Sequence, residues 1–229
     1  MILPAIKSAI LRVTGVVVQE VFTSTDMIAV EMADLVNDVA ADIALSHDWR
    51  ALTKVHQVVG DGSFAYPLPS DYDRMVLASD VDDAASWFWG YHPFDTVNEW
   101  MRFKAGAYSI VSPGGWIIIG DEFQFYPAPN GTAQYPYISN AWARDVNGVP
   151  KSTFTADDDT FVLDDRLLTL GLIWRWLDQK DMPYAEAMQT YETALSQAQT
   201  RDRGARVIGT ASRHRLSNGR HAYNGRAIR

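Results

Sequence analysis

Residues 164–177 read Asp-Asp-Arg-Leu-Leu-Thr-Leu-Gly-Leu-Ile-Trp-Arg-Trp-Leu. Asp164 or Asp165 supplies a helix-capping carboxylate, and Leu167, Leu168, Leu170, Leu172, Ile173, Trp174, Trp176 and Leu177 then cover nearly every face of the helix that follows. A helix apolar on all sides has to be buried on most of them. Pro183 ends it and opens another, in which Tyr184, Met188, Tyr191, Leu195 and Ala198 recur by four and three. That narrow stripe is the kind helices use against one another. Upstream, Ser24, Thr25 and Asp26 offer caps to a helix from about Asp26 to Ser46, with Ile28, Met32, Leu35, Val39 and Ile43 at helical spacing. Its polar face carries Glu31, Asp34, Asp38 and Asp42, which suits a solvated side or the rim of a partner surface.

Between these helical stretches the period changes. From Leu52 to Asn147, short runs of Val, Ile, Phe, Tyr and Trp are separated by Gly, Pro, Asn and Asp. The candidate strands are Leu52 to Val59, Ser63 to Leu68, Gly115 to Ile119, Glu122 to Tyr126 and Gln134 to Trp142. Gly120-Asp121 joins two of them as a tight hairpin, and Phe94 to Lys104 reads as a short helix with Val97, Met101 and Trp100 inward. The predicted class is α+β: a helix bundle (24–50 and 160–203) from which a mostly antiparallel β module (about 52–147) projects. These make one domain over 1–203. Beyond Gly204 the apolar pattern stops, leaving an extended basic C-terminal arm over 204–229 that cannot form a core of its own.

With 47% hydrophobic residues in 229, the chain has ample material for a core, and wholesale disorder is excluded. The formal charge of -8 conceals a split, because residues 201–229 hold eight arginines against the single acid Asp202. A body of net -15 therefore carries a tail of net +7. Without cysteine there is no disulfide, thiolate nucleophile or Cys-ligated metal. The segment Met1 to Phe22 is apolar but interrupted by Lys7, Arg12 and Glu20, too short a run to cross a bilayer. The expectation is a soluble chain with no membrane partner.

Asp157-Asp158-Asp159, followed by Asp164-Asp165, is the densest acidic cluster, and oxygen-rich stretches invite a calcium or magnesium reading. It lacks the central Gly and terminal Glu of an EF-hand loop, so the plainer reading is a turn whose carboxylates cap the next helix. His47-Asp48 resembles a base beside its orienting carboxylate, yet an adjacent pair alone does not make a triad. Neither GxxxxGK[ST] nor GxGxxG occurs, and the expectation is no enzyme and no cofactor. Of eight tryptophans, Trp174 and Trp176 belong to the core, while Trp87, Phe88 and Trp89 on a loop either cover the β module or form a contact patch. Arm residues Arg206, Arg213, Arg215, Arg220, Arg226 and Arg229, with Tyr223, suit docking to an acidic protein surface or to phosphates.

Taken as a set, three stretches resemble head-to-tail adaptor (connector) proteins of tailed bacteriophages: Tyr66-Pro67-Leu68-Pro69-Ser70-Asp71-Tyr72, Gly120-Asp121 leading to Phe125-Tyr126-Pro127-Ala128-Pro129, and Asp165 to Trp176 followed by Lys180 and Tyr184-Ala185-Glu186. The likeness runs from about Thr25 to Arg203. It implies a structural virion protein of the neck, made in the host cytoplasm and assembled as a homo-oligomeric ring, commonly a dodecamer, under the portal. Such a ring joins the portal protein to the next neck or tail protein and surrounds the channel through which DNA passes during ejection, without specific binding. The resemblance gives the C-terminal arm to portal binding, and Trp87, Phe88 and Trp89 are candidates for contact with neighbouring subunits. Two alternatives from other classes remain: a carbohydrate-binding β module using Trp87 and Trp89, and an enzyme holding a metal on Asp157 to Asp165.

Overall fold

The alternating apolar runs between Thr53 and Ser139 become eight strands of one sheet, and the flanking periodic stretches become helices. In the computed structural model, residues 1–77, 79–83, 87–106 and 114–204 are described, the side chains of residues 83 and 87–89 apart. The helices among them are α1 (Leu3–Thr14), α2 (Met27–Leu45), α3 (Val97–Ala105), α4 (Asp165–Gln179) and α5 (Ala185–Arg203). The architecture is α+β, and its described residues fall into two units: residues 54–138, which hold the sheet, and residues 1–53 with 139–204, which hold all helices but α3.

The sheet consists of β1 (Thr53–Val59), β2 (Ala65–Pro67), β3 (Tyr72–Met75), β4 (Val81–Asp83), β5 (Trp87–Pro93), β6 (Gly114–Ile119), β7 (Glu122–Tyr126) and β8 (Thr132–Ser139). Their order is β1-β8-β4-β5-β6-β7-β2, with β3 also pairing with β8. The β6–β7 hairpin pairs Ile119 with Glu122 across Gly120-Asp121, and Gly120 takes φ 63°, a conformation glycine reaches without a Cβ penalty. Strands β5 and β6 are parallel because α3 returns the chain between them. Phe123, Phe125 and Tyr135 stack through the core at centroid spacings of 4.8 and 4.5 Å.

Two local expectations are corrected here. Trp87, Phe88 and Trp89 lie on strand β5 rather than on a loop, since Gly90 at φ 69° sits within the strand instead of ending it. On α3, Trp100 is the inward residue, whereas Val97 and Met101 are exposed. Trp100 packs with Phe94 and Phe103 at 5.5 and 6.1 Å, and this aromatic cluster buries more apolar surface than the two aliphatic side chains would.

In the other unit, α4 packs against α1, α2 and α5. The Asp164 carboxylate accepts the Arg166 N–H at 2.9 Å to start the helix, and Leu167, Leu168, Leu172 and Trp176 are buried. At Gly171 the α2 and α4 backbones come so close that a Cβ would run into the Val39 side chain. The N-terminal segment, given no element by the sequence reading, is α1: Ile2, Ala5, Ile6, Ala9 and Ile10 are buried, and Gly15 at φ 71° ends it by donating to the Leu11 carbonyl. A small sheet of β9 (Ala143–Arg144), β10 (Pro150–Lys151) and β11 (Thr160–Phe161), ordered β10-β9-β11, completes this unit.

Candidate assembly surfaces

The acidic stretch is spent on holding the chain together. Asp159, 2% exposed, accepts Lys151 Nζ at 2.7 Å and the Thr155 and Ala156 N–H groups at 2.7 and 3.1 Å. Burial pushes its carboxyl upward, but the Lys151 and main-chain hydrogen bonds outweigh that and hold it below the usual carboxylate range. Asp157 accepts the Val21 and Phe22 N–H groups at 3.1 and 3.2 Å, and Asp164 caps α4. Burial instead pushes Asp165 upward. Among the described residues, no group of three or more His, Asp or Glu gathers as metal ligands would. His47 lies beside Asp202 on α5, Nε2 to Oδ2 3.3 Å, just past the end of α2.

Five tryptophans, Trp49, Trp100, Trp116, Trp142 and Trp176, are buried, and Trp174 leans on Tyr191 with centroids 6.0 Å apart. These six are packing residues rather than an open stacking platform. Trp87 and Trp89 contribute their backbones to β5, and their side chains lie outside the described residues.

What the described surface offers is an edge and a helix face. Strand β1 is one edge of the large sheet, seven residues with no proline, and its outward Val55 and Val59 are 62% and 73% exposed. The opposite edge, β2, has three residues and ends in Pro67. Natural sheets blunt their edges with short strands, proline or charge, and β1 is long and proline-free, with Lys54 near its start. Its lysine, Lys54, turns its ammonium to Asp71 at 2.5 Å, which also accepts the Tyr137 hydroxyl at 2.9 Å. Burial, then that bond to Asp71, pushes the Tyr137 phenol up to about 12. Burial pushes the neighbouring His56 down, with Asp71 opposing.

The helix face is the outer side of α2, where Met27, Val30, Asp34, Asp38 and Leu45 are exposed. The proposed arm residues Arg206, Arg213, Arg215, Arg220, Tyr223, Arg226 and Arg229 lie outside the described residues. The described chain ends at Gly204 beside the C-terminal end of α2: Arg50 Nη2 donates to the Arg203 carbonyl at 3.0 Å and Gln199 Nε2 to the Ser46 carbonyl at 3.3 Å. Sequence reasoning missed the β1 edge, although its run of valines flanked by no proline was the available signal.

A scan of protein families matches residues 5–214 to the model described as SU10 adaptor protein. No curated protein matches the chain.

Proposed function

The chain belongs to the SU10 adaptor protein family, and we propose that it is the head-to-tail adaptor of a tailed-phage virion. Copies form a closed ring, of twelve in the commonest arrangement, that joins the portal protein to the next neck or tail protein and surrounds the DNA channel. The observation that carries this reading is the family match over both units and into the arm, as far as residue 214. The role is structural, and the charge split suits it. A body of net -15 lowers phosphate affinity, so DNA slides past without sticking, while the tail from residue 201 to 229, net +7, fastens to an acidic partner. No helix among the described residues is long and apolar enough to cross a membrane.

A ring requires two different complementary patches per subunit. The β1 edge is one, through main-chain pairing to a neighbouring copy. Trp87, Phe88 and Trp89 on β5 are candidates for the other. Arg206, Arg213, Arg215, Arg220, Tyr223, Arg226 and Arg229 engage the portal.

The test is to mix purified protein with its portal and measure mass and ring symmetry by electron microscopy. A ring on the portal is expected, lost when residues 205–229 are deleted. A chain that stays monomeric and never joins the portal overturns the reading.

A further inference from the structure

We infer that copies of this chain meet through their helical units: the outer face of α2 in one copy lies against α5 of the next, with its carboxylates at a basic pocket between α4 and α5. The inference rests on the ring reading and names one contact that closes the ring.

The pocket, about 430 Å³ and open to solvent, is lined by Arg166 at the start of α4 and by Ser196, Gln197, Thr200 and Arg201 near the end of α5. Two of these five residues carry a guanidinium and none a carboxylate. Arg166 is exposed, and its side chain makes no hydrogen bond or ion pair among the described residues. Arg201, its side chain 69% exposed, reaches the Asp164 carboxylate at 3.6 Å, and that carboxylate is already engaged in capping α4. A pair so long and so exposed holds its guanidinium weakly. Two guanidiniums together with hydroxyls and an amide suit carboxylates brought in by a partner.

The outer face of α2 offers them. Asp34 and Asp38 are exposed one turn apart, while the flanking acids have cations of their own: Lys180 Nζ donates to Glu31 at 2.7 Å and Arg175 Nη2 to Asp42 at 2.6 Å. Within one subunit the two patches face different ways. On α5, Gln199 and Asp202 meet the end of α2 through Ser46 and His47. Arg201 and Thr200 lie about 160° round the helix from Gln199 and Asp202 respectively, so the pocket opens away from α2. Two acidic faces, or two basic pockets, would repel each other. Unlike patches on different sides of the bundle are what a head-to-tail contact repeats around a closed ring.

Spacing matches as well as charge. Thr193 stands seven residues, two turns, before Thr200, while Leu45 stands seven after Asp38 and Met27 seven before Asp34. With the carboxylates at the pocket, one aliphatic end of the α2 stripe therefore comes over Thr193, whichever way the two helices run. Met27 and Leu45 are both exposed. The α5 surface that receives them costs little to dehydrate, because Thr190, Thr193 and Thr200 donate their hydroxyls to the carbonyls of Glu186, Gln189 and Ser196 at 2.9, 2.8 and 2.8 Å.

The test is charge exchange in the full-length chain, assembled with its portal and read by electron microscopy and native mass. Asp34→Arg/Asp38→Arg and Arg166→Glu/Arg201→Glu should each cut the yield of rings about tenfold or more, since each sets like charges together at every contact. An equimolar mixture of the two variants should restore rings in which they alternate, because every contact then joins opposite charges again. Arg166→Glu by itself, which spares the contact between Arg201 and Asp164, repeats the exchange if a thermal melt shows the double variant to be unstable. Rings formed by either double variant without the other, or no recovery on mixing, overturn the contact and leave the adaptor reading standing. So does an Arg166→Glu/Arg201→Glu chain that forms rings but no longer holds the portal, because the pocket then serves an acidic partner of another kind. A natural chain that forms no ring overturns both.

Discussion

Replacing Asp159 by Asn should destabilise the protein by about 3 kcal/mol, at the low end of what breaking a buried ion pair costs. The carboxylate is 2% exposed and takes three hydrogen bonds, from Lys151 Nζ and from the Thr155 and Ala156 N–H groups. All three bonds fall on Oδ2, so an amide oxygen set in its place keeps the acceptor but strips the charge from Lys151's partner and weakens all three charge-assisted bonds. The same loop receives the Ile2 N–H at the Asp159 carbonyl, 2.6 Å away, so its loosening reaches the start of α1. For a chain of this size each kcal/mol moves the melting temperature by about 2–4 °C, giving an expected drop of about 6–12 °C by calorimetry at neutral pH. The pH dependence has a definite sign. Asp159's carboxyl is held below its ordinary value in the folded chain, so its contribution is complete above the unfolded value near ~4 and fades as pH falls through the folded one. The gap between the natural chain and Asp159→Asn should therefore narrow in acid. A drop under about 2 °C, or a gap independent of pH, would refute the assignment of Asp159 as the buried anchor.

Gly171→Ala gains about 1 kcal/mol of helix propensity but drives a methyl into Val39, a clash worth about 1–3 kcal/mol. Net destabilisation is expected by denaturant unfolding, with partial recovery in Gly171→Ala/Val39→Ala; a more stable Gly171→Ala would contradict the close approach of α2 and α4. Burial lifts the phenols of Tyr137 and Tyr191 to about 12, helped by Asp71 at the first and by Asp42, against Arg175, at the second. Both groups contribute stability that is complete below the unfolded value near ~10 and is lost as pH rises toward the folded one. Phenolate absorbance should accordingly stay silent for them until about pH 12 or until the chain unfolds, and Tyr191→Phe should reduce the alkaline loss. Val55→Lys/Val59→Lys, on exposed positions of β1, should leave the melting temperature nearly unchanged while abolishing the ring seen by electron microscopy; ring formation by this variant would exclude the β1 edge as a subunit contact.

The features legible in the sequence are those in which local pattern and tertiary burial ask for the same thing. Glu122 to Tyr126 is a strand with the bounds its alternation suggests, and α2, α4 and α5 begin within a few residues of their capping signals. The α1 helix was hidden because Lys7 and Arg12 interrupt an apolar run, yet Ile2, Ile6 and Ile10 one turn apart, Pro4 in the first turn and Gly15 at the end are its signature. On α3, spacing alone could not choose between Val97 with Met101 and Trp100, because the choice was made by Phe94 and Phe103, which meet Trp100 only once the chain folds. The acidic cluster shows the same limit more sharply. Asp157 answers N–H groups 136 and 135 positions away, at Val21 and Phe22, and no local spacing announces that. Candidate assembly surfaces are harder still, for they are recognised by exposure: the outward valines of β1, and Asp34 and Asp38 on α2 beside two acids that pair with Lys180 and Arg175. Only a structure distinguishes Asp34 and Asp38 from Glu31 and Asp42, since the sequence places all four on one polar face.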